Sequence, residues 1–334
     1  MAQWLGLWSA VAAVFGVVAL GGLLRRFDWL TAAADASLLK LVVRVFVPCL
    51  IVRSVVGNPA LDRAENVWLP PMVGFGTVAV SFAVCAAAAY ALGPRIGLRS
   101  PAARRTFAVA AGLHNYGYLP IPLAEALYPA AAGEPSAVLG VLFVNNVGVD
   151  LAMWTLGVAL IGGGLGLAGL RRVVNGPSVA VVAALVLHVA GGDAWLPGFV
   201  TSAVGWLGAC AVPMALLLIG ATMVDALGKL RADGGEAGPG VGRMAAAACV
   251  ARLGVLPLLF VGLASALPAV GGGVELQRVA LLHAAMPAAV FPIVLARHYG
   301  GDPATATVVA LSTSVVSLLT MPLWLAAGAA WVGG

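Results

Sequence analysis

Two stretches decide the fold: His114-Asn115-Tyr116-Gly117-Tyr118-Leu119-Pro120-Ile121-Pro122 and His283-Ala284-Ala285-Met286-Pro287-Ala288-Ala289-Val290-Phe291-Pro292. Each sets two prolines well inside an apolar segment. An interior proline removes a backbone hydrogen bond and clashes with the preceding turn, so a helix kinks or breaks there. Inside a bilayer, a break survives only where its freed amides and carbonyls face protein or a water-filled cavity. Two such segments therefore predict one enclosed polar place in a lipid-embedded chain.

The composition supplies the lipid. Of the 334 residues, 62% are hydrophobic and 9% charged, against roughly 25% charged in a soluble domain. A soluble globule cannot hide that surplus. The chain is predicted to be an all-α integral membrane protein, and soluble enzyme, disordered, coiled-coil and disulfide-rich classes are excluded. Long continuous apolar runs replace the short alternating ones of an outer-membrane barrel. The net charge of +5 reads as cytoplasmic loop bias, with no nucleic-acid partner. Cys49, Cys85, Cys210 and Cys249 lie singly in apolar stretches and give no metal or disulfide framework; no cofactor is implied.

Charge-free windows at 1–24, 66–94, 106–124, 173–192, 194–224, 279–296 and 303–334 each suit a span of about 20 residues. Windows at 135–170 and 244–274 hold one charge each, Asp150 and Arg252, and a weaker window at 36–57 holds Lys40, Arg44 and Arg53. Ten spans result. The first, ending at Arg25 and Arg26, reads as a span and not as a signal peptide. Connections after the odd-numbered spans carry 12 Lys and Arg and the others 3, so the odd connections face the cytoplasm and both termini lie outside. Membrane lipid surrounds a multi-pass protein of the cytoplasmic (inner) membrane. The connection at 226–243, rich in Gly and charge, is expected to be its longest cytoplasmic loop.

Five spans per half is odd, so an internal repeat must be inverted: 1–172, then 173–334. Pro48 in span 2 answers Pro213 in span 7, and Pro122 in span 4 answers Pro292 in span 9. Matched Pro-interrupted spans in two inverted halves mark the binding site of a secondary transporter. At about 1.5 Å per residue, Asn115 lies roughly 14 Å into span 4, and Pro287 at a similar depth in span 9. The half-helices beginning there aim unpaired amides and positive dipole ends at one cavity, where an anion is the natural guest.

At these residues the sequence resembles the auxin efflux carrier family, which includes plant PIN-type transporters and bacterial carriers of small carboxylates. The family pattern Asn-x-Gly-x-x-x-x-Pro is met by Asn115, Gly117 and Pro122, and the span 9 pattern by Met286-Pro287-Ala288, Ala296 and Tyr299-Gly300. Ser312-Thr313, Ser317, Thr320 and Pro322 look like the family's last span, and Pro213-Met214-Ala215-Leu216 with Ile219-Gly220 like its seventh. The resemblance implies ten spans in two inverted five-helix repeats, a scaffold bundle and a mobile transport bundle, crossed broken helices in spans 4 and 9, alternating access and a homodimer. His114, where a small or apolar residue is usual, and the extra Pro120 depart from the pattern.

The candidate substrate-binding residues are His114, Asn115, Tyr116, Gly117, Pro120, Pro122, Asn145, Asn146, His283, Met286, Pro287 and Pro292. Asp150, about 20 Å along span 5, shares a helical face with Asn146, and Asn145 stands beside them. A carboxylate at that depth is either a structural group satisfied by a neighbouring helix or a proton-coupling group. Arg252 and Lys40 either snorkel or pair with Asp35 or Asp150. Ser312, Thr313, Ser314, Ser317 and Thr320 are expected to bond between helices or to their own carbonyls.

The chain thus reads as a secondary carrier of a small organic anion. A sodium-coupled organic anion or bile-acid-type symporter is the alternative, and it would need more oxygen ligands than one deep carboxylate provides. HExxH, paired intramembrane aspartates and a Gly-x-Ser-x-Gly elbow are absent from the sequence, which argues against an enzyme. Orientation is testable apart from function. A cysteine placed at Gly133 should react with an impermeant thiol reagent from outside, and one at Gly235 only after the cytoplasmic side is opened; the reverse pattern contradicts the charge argument.

Overall fold

The computed structural model describes residues 2–130, 134–162, 174–232 and 239–332. Gly133, Gly235, Arg171, Arg172 and the 172/173 repeat boundary lie outside them. Every regular element among the described residues is helical. Among these residues six helices are long and apolar enough to cross a membrane: Leu5–Arg26, Glu65–Leu92, Ala137–Gly162, Gly198–Lys229, Gly240–Val270 and Pro303–Gly328.

The other four predicted spans are shorter or interrupted, for reasons visible in their residues. The second comprises α2 (Ala32–Leu41), a π turn (Val42–Phe46) and α3 (Val47–Val55). The fourth is split into α5 (Pro101–Gly112) and α6 (Pro120–Leu127). The sixth, α9 (Gly176–Val189), has 14 residues. The ninth is split into α14 (Val274–Ala285) and α15 (Phe291–Tyr299). Around them stand α1 (Ala2–Arg26), α4 (Glu65–Leu92), α7 (Ala137–Ala152) continuing into α8 (Val158–Gly162), and α10 (Gly198–Ala209) followed by α11 (Ala211–Ala232). The set is completed by α12 (Pro239–Val250) with α13 (Leu256–Ala266), and α16 (Pro303–Val332).

Proline explains two of the irregular turns. Pro48 and Pro257 each stand at the second position after a π turn, Val42–Phe46 and Ala251–Val255. The missing N–H and the ring displace the carbonyl four residues back, and a widened turn absorbs the displacement. Leu253, whose carbonyl Pro257 deprives of its usual partner, accepts a hydrogen bond from Trp324 Nε1 at 2.7 Å. A third π turn, Met153–Gly157, joins α7 to α8 beside Asp150.

Small residues set two close helix crossings. A Cβ added to Gly148 of α7 would collide with the carbonyl of Pro71 in α4, and one on Gly220 of α11 with that of Val18 in α1. The predicted loop at 226–243 is corrected. Helix α11 runs to Ala232 and α12 starts at Pro239, because Ala226, Leu227, Lys229, Leu230 and Arg231 are good helix formers that outweigh a single glycine.

Candidate functional site

Both proline-rich stretches leave the helix where expected. Helix α5 ends at Gly112 with Leu113 extended (φ −84°, ψ 111°), and α14 ends at Ala285 with Met286 extended (φ −73°, ψ 142°). Pro120 and Pro292 then sit in the first turns of α6 and α15. A first-turn proline costs nothing there, since its N–H would lack a helical partner anyway.

The two breaks satisfy each other. Asn115 N donates to Pro287 O at 2.8 Å and Ala289 N to Leu113 O at 2.9 Å, which makes His114 and Ala288 an antiparallel bridge. The amide between them, Ala288 N, donates to Thr313 Oγ1 at 3.2 Å, and the Thr313 hydroxyl in turn donates to Val309 O at 2.7 Å. Asn115 Oδ1 accepts from Leu119 N at 3.5 Å. Ser312 and Ser317 bond to carbonyls of their own helix, as expected.

At the bridge the neighbours His114 and Asn115 point to opposite sides, as successive extended residues do, so the crossing has two chemically different faces. One face lines a cavity of about 440 Å³ with Asn115, Tyr116 and Gly117 from the first break and Ala289, Val290 and Phe291 from the second. Its other walls carry Asn146 and Asp150 of α7, Asn175, Pro177 and Ser178 at the start of α9, and apolar side chains including Val47, Ile51, Ile219 and Val294. Among the described residues, Asp150 is the one Lys, Arg, Asp or Glu in this lining. It is buried and accepts from Tyr116 OH at 2.6 Å, Ser178 Oγ at 3.2 Å and Asn175 Nδ2 at 3.4 Å. Asn146 Nδ2 donates to Tyr116 O at 2.9 Å. Helix α7 therefore grips the first break through two side chains one turn apart, and Asp150 joins that break to the N-terminus of α9.

The opposite face holds His114, which is fully buried with its ring 4.4 Å from that of His283. Asn145 Nδ2 lies 3.5 Å from His283 Nδ1. Asn145, expected beside Asn146 and Asp150, thus turns away from them, because consecutive helical residues point about 100° apart while Asn146 and Asp150 are one turn apart. Met286, Pro287, Pro120, Pro122 and Pro292 frame the breaks through their backbone and do not line the cavity. Arg252 bonds neither of its expected partners. It donates to Met286 O at 3.1 Å and His283 O at 3.0 Å, while Asp35 pairs with Arg25 at 2.6 Å and Lys40 is exposed. Tyr116, Asn175 and Ser178 as ligands of Asp150, and Thr313 as partner of Ala288, were beyond sequence reasoning. The one local signal was Asn175-Gly-Pro-Ser178, a helix N-cap pattern in which Asn175 Oδ1 accepts from Ser178 N at 2.9 Å.

A second hollow of about 760 Å³ opens at the other end of α3 and α9, lined by Arg53, Glu125, Glu134 and Asp193 among others. Arg53 at the end of α3 pairs with Glu125 of α6 at 2.8 Å.

A family model described as a membrane transport protein matches residues 7–164 and 165–325. The chain belongs to that family, the auxin efflux carriers, and is a multi-pass membrane transporter; membership implies transport and not catalysis. An uncharacterized transporter of Methanothermobacter thermautotrophicus is 26% identical over 326 residues, which cover 96% of this chain and 98% of that protein.

The paired breaks generate a prediction for transport. Asn115→Ala removes the side chain that both caps the break and faces the cavity, and Pro287→Ala allows α14 to extend through the crossing. Each should abolish uptake into proteoliposomes with expression nearly unchanged, whereas wild-type uptake in either variant would reduce the prolines to kinks.

Proposed function

We propose that this transporter moves a small organic anion, a carboxylate, across the inner membrane by alternating access with proton coupling at Asp150. The observation that carries this reading is the antiparallel pairing of two proline-broken helices on the wall of a cavity. Pro120, Pro122 and Pro292 take free amides away from the starts of α6 and α15, but the positive dipole ends of both helices lie beside that crossing, and such termini favour anions. An anion beside the Asp150 carboxylate is repelled unless Asp150 carries a proton, so the same geometry favours co-binding of substrate and proton.

In this proposal α1, α2–α3, α4, α5–α6, α7–α8, α9, α10–α11, α12–α13, α14–α15 and α16 are ten spans in two inverted repeats, with both termini outside. The broken helices are then the fourth and ninth. Both hollows lie between α3 with α9 on one side and the α6–α7 region on the other. An interface with a hollow at each end suits rocking of a transport bundle against a scaffold bundle, with Arg53 and Glu125 closing the outer end. Two copies form a homodimer through their scaffolds.

The test is a panel of mono- and dicarboxylates, scored by thermal stabilisation of the purified protein and by counterflow in proteoliposomes, with and without sodium and at two pH values. Stabilisation by a subset of carboxylates and pH-dependent, sodium-independent counterflow are expected. Asp150→Asn keeps the side chain's shape and removes its titration, so it should retain binding and lose the pH dependence. An unaltered pH profile in Asp150→Asn, or wild-type transport that needs sodium and ignores pH, contradicts the proton role.

A further inference from the structure

Behind the crossing lies a cluster that the transport reading leaves unused. Arg252 is fully buried, and among the described residues no carboxylate is paired with it. Two of its nitrogens hold the carbonyls at the end of α14, and Nη1 has no hydrogen-bond partner among the described residues. The guanidinium carbon stands 5.2 Å from the centre of the Phe260 ring, and His114 meets the same ring edge-on at 5.6 Å. Among the same residues, both ring nitrogens of His114 and Nε2 of His283 also lack partners. Four buried nitrogens on three adjoining side chains thus need partners, and one of the three side chains is a permanent cation.

A buried cation with no counter-charge is costly, and carbonyl dipoles offset only part of that cost. Water could satisfy the N–H groups but would not neutralise the guanidinium. Either imidazole can present an N–H from the nitrogen that has no partner. Close packing of the two imidazoles, Phe260 and Arg252 limits any guest to a few atoms. We propose that Arg252, His114 and His283 form a binding site for one small monovalent anion, a halide or an acetate-sized carboxylate, on the face of the crossing opposite the cavity. The anion neutralises Arg252 and accepts from Nη1 and the imidazoles, which fixes the end of α14 against the first break. The site does not depend on what the cavity carries.

The test uses purified full-length protein in detergent, with gluconate as background anion at constant ionic strength, titrated with bromide or acetate while thermal unfolding is followed. A saturable rise in Tm is expected in the wild type and lost in Arg252→Gln, with bromide as the probe that separates this site from a carboxylate bound in the cavity. A response to bromide alone assigns the site to halides, and a response to acetate alone to carboxylates. Where Arg252→Gln does not fold, His114→Phe keeps the ring contacts and the cation while removing two nitrogens, and should raise the midpoint concentration about tenfold. No saturable rise with either probe, an equal rise in Arg252→Gln, or an unchanged midpoint in His114→Phe overturns the site and leaves these nitrogens to buried water.

Discussion

A peptide group freed from a helix inside a bilayer must find a partner within the protein, and most of this structure follows from meeting that demand twice in one place. The breaks at 113–119 and 286–290 are mutually complementary: two hydrogen bonds run between them, and the odd amide, Ala288 N, goes to Thr313. Neither break can be satisfied in this way without the other. The helices around them serve the same end, with Asn146 on the Tyr116 carbonyl and Arg252 on the carbonyls of His283 and Met286.

Pairing the breaks as extended backbone also separates charge. Side chains along an extended segment alternate, so His114 and Asn115 look in opposite directions although they are neighbours. The cavity face receives Asn115, Tyr116 and the acceptor Asp150; the other face receives the donors His114, His283 and Arg252. A membrane interior in which one short crossing divides a carboxylate from a guanidinium is electrically polarised across that crossing. The family of membrane transport proteins supplies the class of function, and this polarity is what a proposed anion and proton would meet.

The sequence made the broken spans legible because proline acts locally, through its own missing N–H and its own ring. Asp150 was legible as an oddity because a deep carboxylate is costly whatever surrounds it. Its ligands were not, since Tyr116 and Ser178 are 34 and 28 residues away and come together only through the packing of α7, α9 and the first break. Which partner Arg252 takes was open in the sequence for a related reason: charge complementarity suggests a carboxylate, whereas its acceptors are the carbonyls that a broken helix exposes. Asn145 was grouped with Asn146 and Asp150 by proximity in sequence, and helical rotation turned it toward His283. Among the described residues six long apolar helices stand out by length, and the other four expected spans are marked in the sequence by charge-free or charge-poor windows whose helices are short or broken.

Disulfide trapping at the crossing tests the central claim most directly. His114 and Ala288 form a non-hydrogen-bonded antiparallel pair, whose Cα atoms lie about 4.5 Å apart, within the range a disulfide spans. With Cys49, Cys85, Cys210 and Cys249 replaced and a protease site inserted between 233 and 238, the double variant His114→Cys/Ala288→Cys is oxidised in membranes and then cleaved. The two halves should remain covalently joined until reduced, while Asn115→Cys/Ala288→Cys, whose side chains leave opposite faces, should separate. Separation of the halves in the first variant, or equal joining in both, would contradict the paired crossing on which the rest of the account stands.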